Sequence, residues 1–422
     1  MTALFLGVDL GTSGIRCAAT DAQGKVIGMA RAPYPDASAQ GWWQAVSDGL
    51  HALRTDIGPD AMRAIRSAAV GGTSGTMVLV DAALNPVTAP LMYNSNGFDA
   101  EAQVIADCAP PDHITRGSAS ALGRALRLQS QDSAHTATHL CHQADFILAK
   151  LAGRAGHSDE NNCLKTGYDV VNTCWPDWFA RTGLRTELLP DVHPVGTAIG
   201  QVDPAIAQEF GFAPELILRV GTTDSIAAFL AAGADTIGDV VTSFGTTLAI
   251  KMLSDRRIDD PARGIYSHKL GAMWLVGGAS NTGGGALLAH FTPDEMTTLS
   301  ARMDPTTDTG LTYYPLPRKG ERFPIADPDL EPSLTPRPQD DVLFLQGLFE
   351  GITRIEAQCY DALRDLGAPP ITRILSAGGG ARNDAWRAIR QRHIPYPITV
   401  SHNTEASVGL ALLCASHANA SA

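Results

Sequence analysis

A chain of 422 residues has room for two or three domains, and its 44% apolar and 18% charged residues are the balance of a globular protein with large cores. Its 32 basic against 44 acidic residues give a net charge of −12 with no basic block, which argues against nucleic acid or an anionic membrane as the main partner. A small anionic ligand is not excluded, because backbone N–H groups and a metal ion can build a local site. Seven scattered cysteines without a CxxC pair read as thiols of a reducing compartment. No apolar run approaches the ~20 residues of a membrane span and no leader pattern precedes the first strand, so a cytoplasmic location is expected.

Along the chain, residues 4–9, 15–20 and 26–32 read as three consecutive strands, the first two joined by Gly11-Thr12-Ser13. Residues 44–56 have helical periodicity. A strand over 65–70 then ends in Gly71-Gly72-Thr73-Ser74-Gly75-Thr76, followed by the strand-like 77–80. Residues 93–211 are less regular and read as inserted structure on the substrate side. From Leu216 the pattern restarts: Val220-Gly221-Thr222-Thr223-Asp224 ends a strand and opens a helix over 225–232. A second hairpin follows around Gly245-Thr246-Thr247, then a strand over 274–276 and a glycine-rich run over 277–285. A proline-rich loop occupies 313–338 and a long helix 342–366. A strand over 371–376 leads through Gly378-Gly379-Gly380 to a helix over 383–394, and Thr404-Glu405 caps a last helix through 408–414. This order predicts two α/β domains, residues 1–215 and 216–422. They form a duplicated β-β-β-α-β-α-β-α core flanking a cleft.

The repeated hairpins carry the functional signal. In both, an apolar strand runs into Gly-Thr-[Ser/Thr] and a second strand leaves it. Glycine lets the main chain approach an anion, so each turn is expected to offer glycine N–H groups and small hydroxyls to phosphate oxygens. Two such turns facing each other would grip a nucleotide triphosphate. Asp224 is the candidate general base, since a carboxylate beside an alcohol accepts its proton as a P–O bond forms; it could equally cap the following helix. Asp9 has two functional readings, a water-mediated ligand of Mg²⁺ on the phosphates or a contact to the reacting sugar, besides a turn-stabilising one. His135, His139, Cys141 and His142 suggest a metal cluster, but no second ligand pair accompanies them. Trp42-Trp43 and the pair Trp175 and Trp178 could stack on a sugar or pack a core.

Asp9-Leu10-Gly11-Thr12-Ser13, Gly221-Thr222-Thr223-Asp224, Gly245-Thr246-Thr247, Gly378-Gly379-Gly380-Ala381-Arg382-Asn383 and Glu405-Ala406 with Gly409 stand in the order seen in FGGY carbohydrate kinases, which the chain resembles over nearly its whole length. Gly72 to Thr76, Gly221 to Leu230 and Tyr313-Tyr314-Pro315-Leu316-Pro317 resemble more narrowly the compact D-ribulokinases of photosynthetic organisms. The resemblance implies the actin-like (ribonuclease H-like) fold, ATP with Mg²⁺, and a ketopentose acceptor, with D-ribulose first and D-xylulose second. It implies that Gly11, Thr12, Ser13, Gly245, Thr246, Gly378, Gly379 and Asn383 lie along the nucleotide. Asp9, Ser74 and Asp224 would face the sugar. Pro90-Leu91-Met92-Tyr93-Asn94-Ser95-Asn96-Gly97 lacks the Trp, Asp and Arg that larger members carry there, so the sugar contacts transfer less completely than the ATP machinery. The alternative from another class is a non-kinase ATPase or nucleotide switch on the same fold.

Overall fold

A computed structural model describes residues 2–401 and 403–419. The chain divides into two units, Met1–Ala231 with Glu405–Ala422, and Ala232–Thr404.

In the first unit, β1 (Leu4–Leu10) is buried along its whole length, as the apolar run Leu4-Phe5-Leu6-Gly7-Val8 requires of a central strand. It pairs antiparallel with β2 (Gly14–Thr20), which pairs antiparallel with β3 (Val26–Pro33). On its other side β1 pairs parallel with β4 (Ile65–Gly72). Two small two-stranded sheets follow: β5 (Met77–Val80) with β6 (His139–His142), and β7 (His157–Asp159) with β8 (Asp191–His193). The strands β9 (Ala198–Gln201) and β10 (Ile217–Arg219) complete the main sheet in the order β3-β2-β1-β4-β10-β9.

The second unit is built on β11 (Asp239–Phe244), β12 (Leu248–Ser254), β13 (Tyr266–Leu270), β14 (Met273–Ser280), β15 (Arg373–Gly378) and β16 (Ile398–Val400), in the order β13-β14-β12-β11-β15-β16. The run β14-β12-β11-β15-β16 repeats β3-β2-β1-β4-β10 in both order and direction. The duplication is therefore of a five-stranded core. The extra strands β9 and β13 sit at opposite ends of the repeated order, and β13, missed in the sequence, arises because residues 266–270 form a hairpin with β14.

The expected division at 215/216 differs from the observed one. β10 pairs parallel with β4, and the helix Asp224–Ala231 packs against the helix Ala406–Asn419, which itself covers β1 and β4. Both segments therefore belong to the first core. A side chain on Gly7 would lie 1.8 Å from the Ser407 carbonyl, and one on Gly409 1.8 Å from that of Ala227. Those approaches admit glycine alone. Phe5, Ala69, Ala227, Leu410, Ala411 and Cys414 form the buried seam.

The middle stretch is more regular than expected. It contains the helices Asp99–Cys108, Ala121–Gln131, Gln143–Ala152 and Glu160–Thr166. Ser120 and Asp159 cap two of them by accepting from backbone N–H groups. The tryptophans are packing residues: Trp42 sits edge-on to Phe146 at 6.3 Å, and Trp175 and Trp178 meet Phe179 at 5.3 and 4.6 Å. His142 is fully buried and bonded to Asp145 and Thr166. Among the described residues no group of three His, Cys, Asp or Glu side chains could hold a metal. All seven cysteines are free thiols, and no described helix is long and apolar enough to cross a membrane.

Candidate active site

The parallel strands β1, β4 and β10 end side by side, because Leu10 is registered with Gly72 and Gly72 bridges to Thr223. Ligands in α/β sheets gather at such carboxyl ends. Asp9 stands at the end of β1, Ser74 just past β4, and Thr223 and Asp224 past β10 at the start of the helix Asp224–Ala231. The sheet thus brings the sequence candidates Asp9, Ser74 and Asp224 onto neighbouring strand ends. Three polar atoms there, Asp9 Oδ1, Ser74 Oγ and Thr223 Oγ1, are buried and find no hydrogen-bond partner among the described residues. Leaving such an atom unpaired costs about 1–3 kcal/mol. Three on adjacent strand ends are what a polar ligand would satisfy. Thr223 was missed in the sequence: two threonines precede Asp224, and only the fold shows which hydroxyl is left over.

Electrostatics set the Asp9 end apart. Asp9 is 3% exposed, and burial pushes its carboxyl up to about 7, with the Asp224 charge adding to the rise, Arg16 opposing it and Glu405 adding again. Arg16, cross-strand from Asp9, reaches Asp9 Oδ2 at 3.6 Å but also meets Glu405 at 3.1 Å, and Arg31 meets Glu405 at 2.9 Å. The Arg16 guanidinium is therefore shared between Asp9 and Glu405. Asp224 Oδ1 accepts from the Ser225 N–H at 2.6 Å. An unpartnered carboxylate oxygen held among further carboxylates fits a divalent cation, so Asp9 passes this test for Mg²⁺.

The hairpins are near-copies. Residues 11–13 link β1 to β2 and residues 245–247 link β11 to β12. One expectation fails in both: the glycine N–H groups close the turns instead of facing a ligand. Gly11 N donates to Gly14 O at 3.0 Å, and Gly245 N to Thr247 O at 3.2 Å. The exposed tips Thr12, Ser13 and Thr246 remain to meet an anion. A cavity of about 470 Å³ lies over the first tip, between Thr12, Ser13, Arg16 and Arg31. At the second, Gly284 N and Gly285 N donate to the carbonyls of Gly245 and Thr246 at 2.8 and 2.9 Å, which satisfies those acceptors within the turn.

The second unit also holds a cavity of about 660 Å³ walled by Phe244, Leu287, Met296, Phe349 and Trp386. Phe349 and Trp386 stack with ring centroids 4.6 Å apart. Gly245, Gly379 and Asn383 line the same cavity, whereas Gly378 and Thr246 are not among its lining residues. Asn383 caps the helix Asp384–His393 by accepting from Trp386 N at 2.9 Å, and donates to Ser300 Oγ at 2.8 Å. It thereby fixes the helix Pro293–Ser300 as a wall, a helix with no functional signal in the sequence. An apolar slot with glycine backbone at one end suits a flat base and a ribose leading toward phosphates.

Residues 240–418 match the C-terminal domain of the FGGY family of carbohydrate kinases. Among curated relatives, a gluconokinase of Bacillus subtilis is 25% identical over 58% of the chain and 52% of its own length. A xylulose kinase of Klebsiella pneumoniae is 23% identical over 63% and 57%, so the chain spans little more than half the length of these two relatives. A xylulose kinase of Streptomyces coelicolor is 26% identical over 95% of the chain and 85% of its own length. Among solved structures, a xylulose kinase from Rhodospirillum rubrum superposes with a TM-score of 0.84 at 21% identity, over 98% of this chain and 90% of that one. A glycerol kinase from Plasmodium falciparum with ADP gives 0.85 at 13%, over 99% and 90%. The structural likenesses establish the actin-like α/β fold.

Proposed function

We propose that this chain is an FGGY carbohydrate kinase, an ATP-dependent kinase of an open-chain ketopentose. The observation that carries the reading is the trio of unpaired buried polar atoms beside Asp224. A neutral polyol satisfies such a trio, whereas an anionic acceptor would be repelled by Asp9 and Asp224. The motif resemblance favours D-ribulose as acceptor. The xylulose kinases among the relatives favour D-xylulose as the second reading.

In this reading Asp224 takes the proton of the acceptor hydroxyl as its oxygen bonds to the γ-phosphorus. The bond to the β,γ-bridging oxygen breaks and ADP leaves with that electron pair. In the first unit the hydroxyls of Thr12 and Ser13 are offered to phosphate oxygens; in the second unit Thr246 offers its own, and the Phe349–Trp386 cavity with Gly379 and Asn383 takes a nucleoside. Asp9 would hold Mg²⁺, which when bound neutralises charge on the phosphate oxygens. Ser74 and Thr223 hydrogen-bond the sugar hydroxyls.

A coupled assay with ATP–Mg²⁺ against D-ribulose, D-xylulose, L-ribulose, gluconate and glycerol tests the reading. Turnover on one pentulose supports it. ADP release that ignores every sugar replaces it with the nucleotide-switch alternative. Thr223→Val, which swaps the unpaired hydroxyl for a methyl, is expected to raise the sugar KM about tenfold with the ATP KM unchanged. An unaltered sugar KM would remove Thr223 from the site.

The glycine turn offers a paired test on the nucleotide side. Gly378 has φ +83°, and a side chain there would lie 2.5 Å from the Phe244 carbonyl oxygen. Gly378→Ala should cost about 1–3 kcal/mol in urea unfolding. At Gly379 a side chain would meet nothing within 4 Å, so Gly379→Ala should leave stability nearly intact and raise the ATP KM by narrowing the cavity. Equal destabilisation by both would contradict this division of roles.

A further inference from the structure

A single hydrogen-bonded chain joins the turn carrying Ser74 to the first phosphate turn, and its polarity can be worked out atom by atom. Gln143, fully buried at the start of its helix, accepts at Oε1 from Thr73 N at 3.0 Å and from Thr73 Oγ1 at 2.8 Å. With that proton committed, Thr73 Oγ1 can only accept from Thr76 Oγ1 at 2.7 Å, and Thr76 Oγ1 in turn accepts from Tyr93 N at 2.9 Å. At its other end Gln143 donates from Nε2 to the Tyr34 hydroxyl at 3.4 Å, and Tyr34 donates to the Gly11 carbonyl at 2.9 Å. The donors all run one way, from Tyr93 through Thr76, Thr73, Gln143 and Tyr34 to Gly11. Gln143 N also donates to Thr76 O at 2.9 Å.

This arrangement needs a primary amide in the middle. One end must accept twice and the other must donate to a phenol that is itself donating. A carboxylate in its place would draw the Tyr34 proton toward itself and release Gly11. Burial raises the Tyr34 hydroxyl well above its usual range, and the Asp9 charge adds to the rise, so the phenol keeps its proton and remains a donor.

We infer that Tyr34 and Gln143 are positioning residues for phosphoryl transfer, fixing the acceptor turn 73–76 against the phosphate turn 11–13. The inference rests on the kinase reading. Each turn binds its own ligand without the chain. What the chain supplies is their mutual placement, which matters most in the transition state, where a small error in the distance between attacking oxygen and phosphorus is costly.

The test is steady-state kinetics of the full chain with ATP–Mg²⁺ and its best pentulose for Tyr34→Phe, Gln143→Glu and the double variant. Tyr34→Phe, which removes one oxygen atom, is expected to lower kcat about tenfold with both KM values within about threefold of wild type. Gln143→Glu should do the same, and the double variant should be no worse than either single, because all three break one chain. Unchanged kcat in Tyr34→Phe, or losses that multiply in the double variant, would overturn the inference. Should Gln143→Glu not fold, Tyr34→Phe alone decides it through kcat. Absence of sugar turnover in the wild type would instead count against the kinase reading itself.

Discussion

Replacing Asp224 by Asn removes turnover of the pentulose by a factor of about 10² to 10⁴, the usual contribution of a positioned general base. The substitution keeps the size of the side chain and a carbonyl oxygen able to accept from Ser225 N, as Asp224 Oδ1 does. The start of the helix Asp224–Ala231 is therefore expected to hold, with an unfolding midpoint close to that of wild type. The kinetic signature should be a fall in kcat with a small change in the sugar KM, since proton acceptance belongs to the transition state. A coupled assay at saturating ATP reads both. If the Asn variant turns over within threefold of wild type, Asp224 is only the first residue of a helix and the base lies elsewhere. If wild type and variant hydrolyse ATP equally and ignore sugar, the nucleotide-switch alternative stands.

The second large effect concerns Asp9, where function and stability should oppose each other. Its carboxyl is raised from 3.8 to about 7 by burial and by the Asp224 charge. Between those two values the folded protein binds a proton that the unfolded chain has lost. Stability from this group is thus fully present below about 4 and drains away as pH rises toward and past 7. Asp9→Asn carries no such penalty. In metal-free buffer the variant should match wild type near pH 4 and exceed it at pH 8, by a few kcal/mol as an upper bound. The same variant should lose most of its kinase activity. Thermal melts across pH give the first result, and adding ATP–Mg²⁺ should narrow the gap at pH 8 by stabilising wild type alone. A stability difference that stays flat with pH would mean that Asp9 is not electrostatically strained.

The parts of this molecule that could be read from the sequence are those fixed by short stretches of chain. The two hairpins are legible because Gly-Thr-[Ser/Thr] between apolar runs is local turn chemistry, and both appear with three residues between their strands. What the glycines do inside those turns was not legible. That Gly11 and Gly245 spend their N–H groups on closing the turn depends on carbonyls two or three residues away adopting one particular geometry. The apolar cavity proposed for the nucleoside was also hidden, because Leu287, Met296, Phe349 and Trp386 come from separate segments and converge only in the folded unit. Thr223 illustrates the same limit at a single position. Its neighbour Thr222 accepts from Asn161 Nδ2 at 3.2 Å, and nothing in the sequence distinguishes the satisfied hydroxyl from the unsatisfied one.

The helix Ala406–Asn419 has a consequence for how the protein is made. The first unit begins with the first strands of the chain, yet the helix that covers β1 and β4 is translated only after all 173 residues of Ala232–Thr404. A nascent chain therefore carries the bare faces of Phe5 and Ala69 through the synthesis of an entire second unit, which lies as a continuous insertion within the first. That inserted unit can fold on the ribosome as soon as it emerges, while the older part waits for its cover. A stop codon that removes residues 405–422 would thus leave the last-made unit whole and strand the first-made one. Such a truncation product should be a client of chaperones through its amino-terminal sheet.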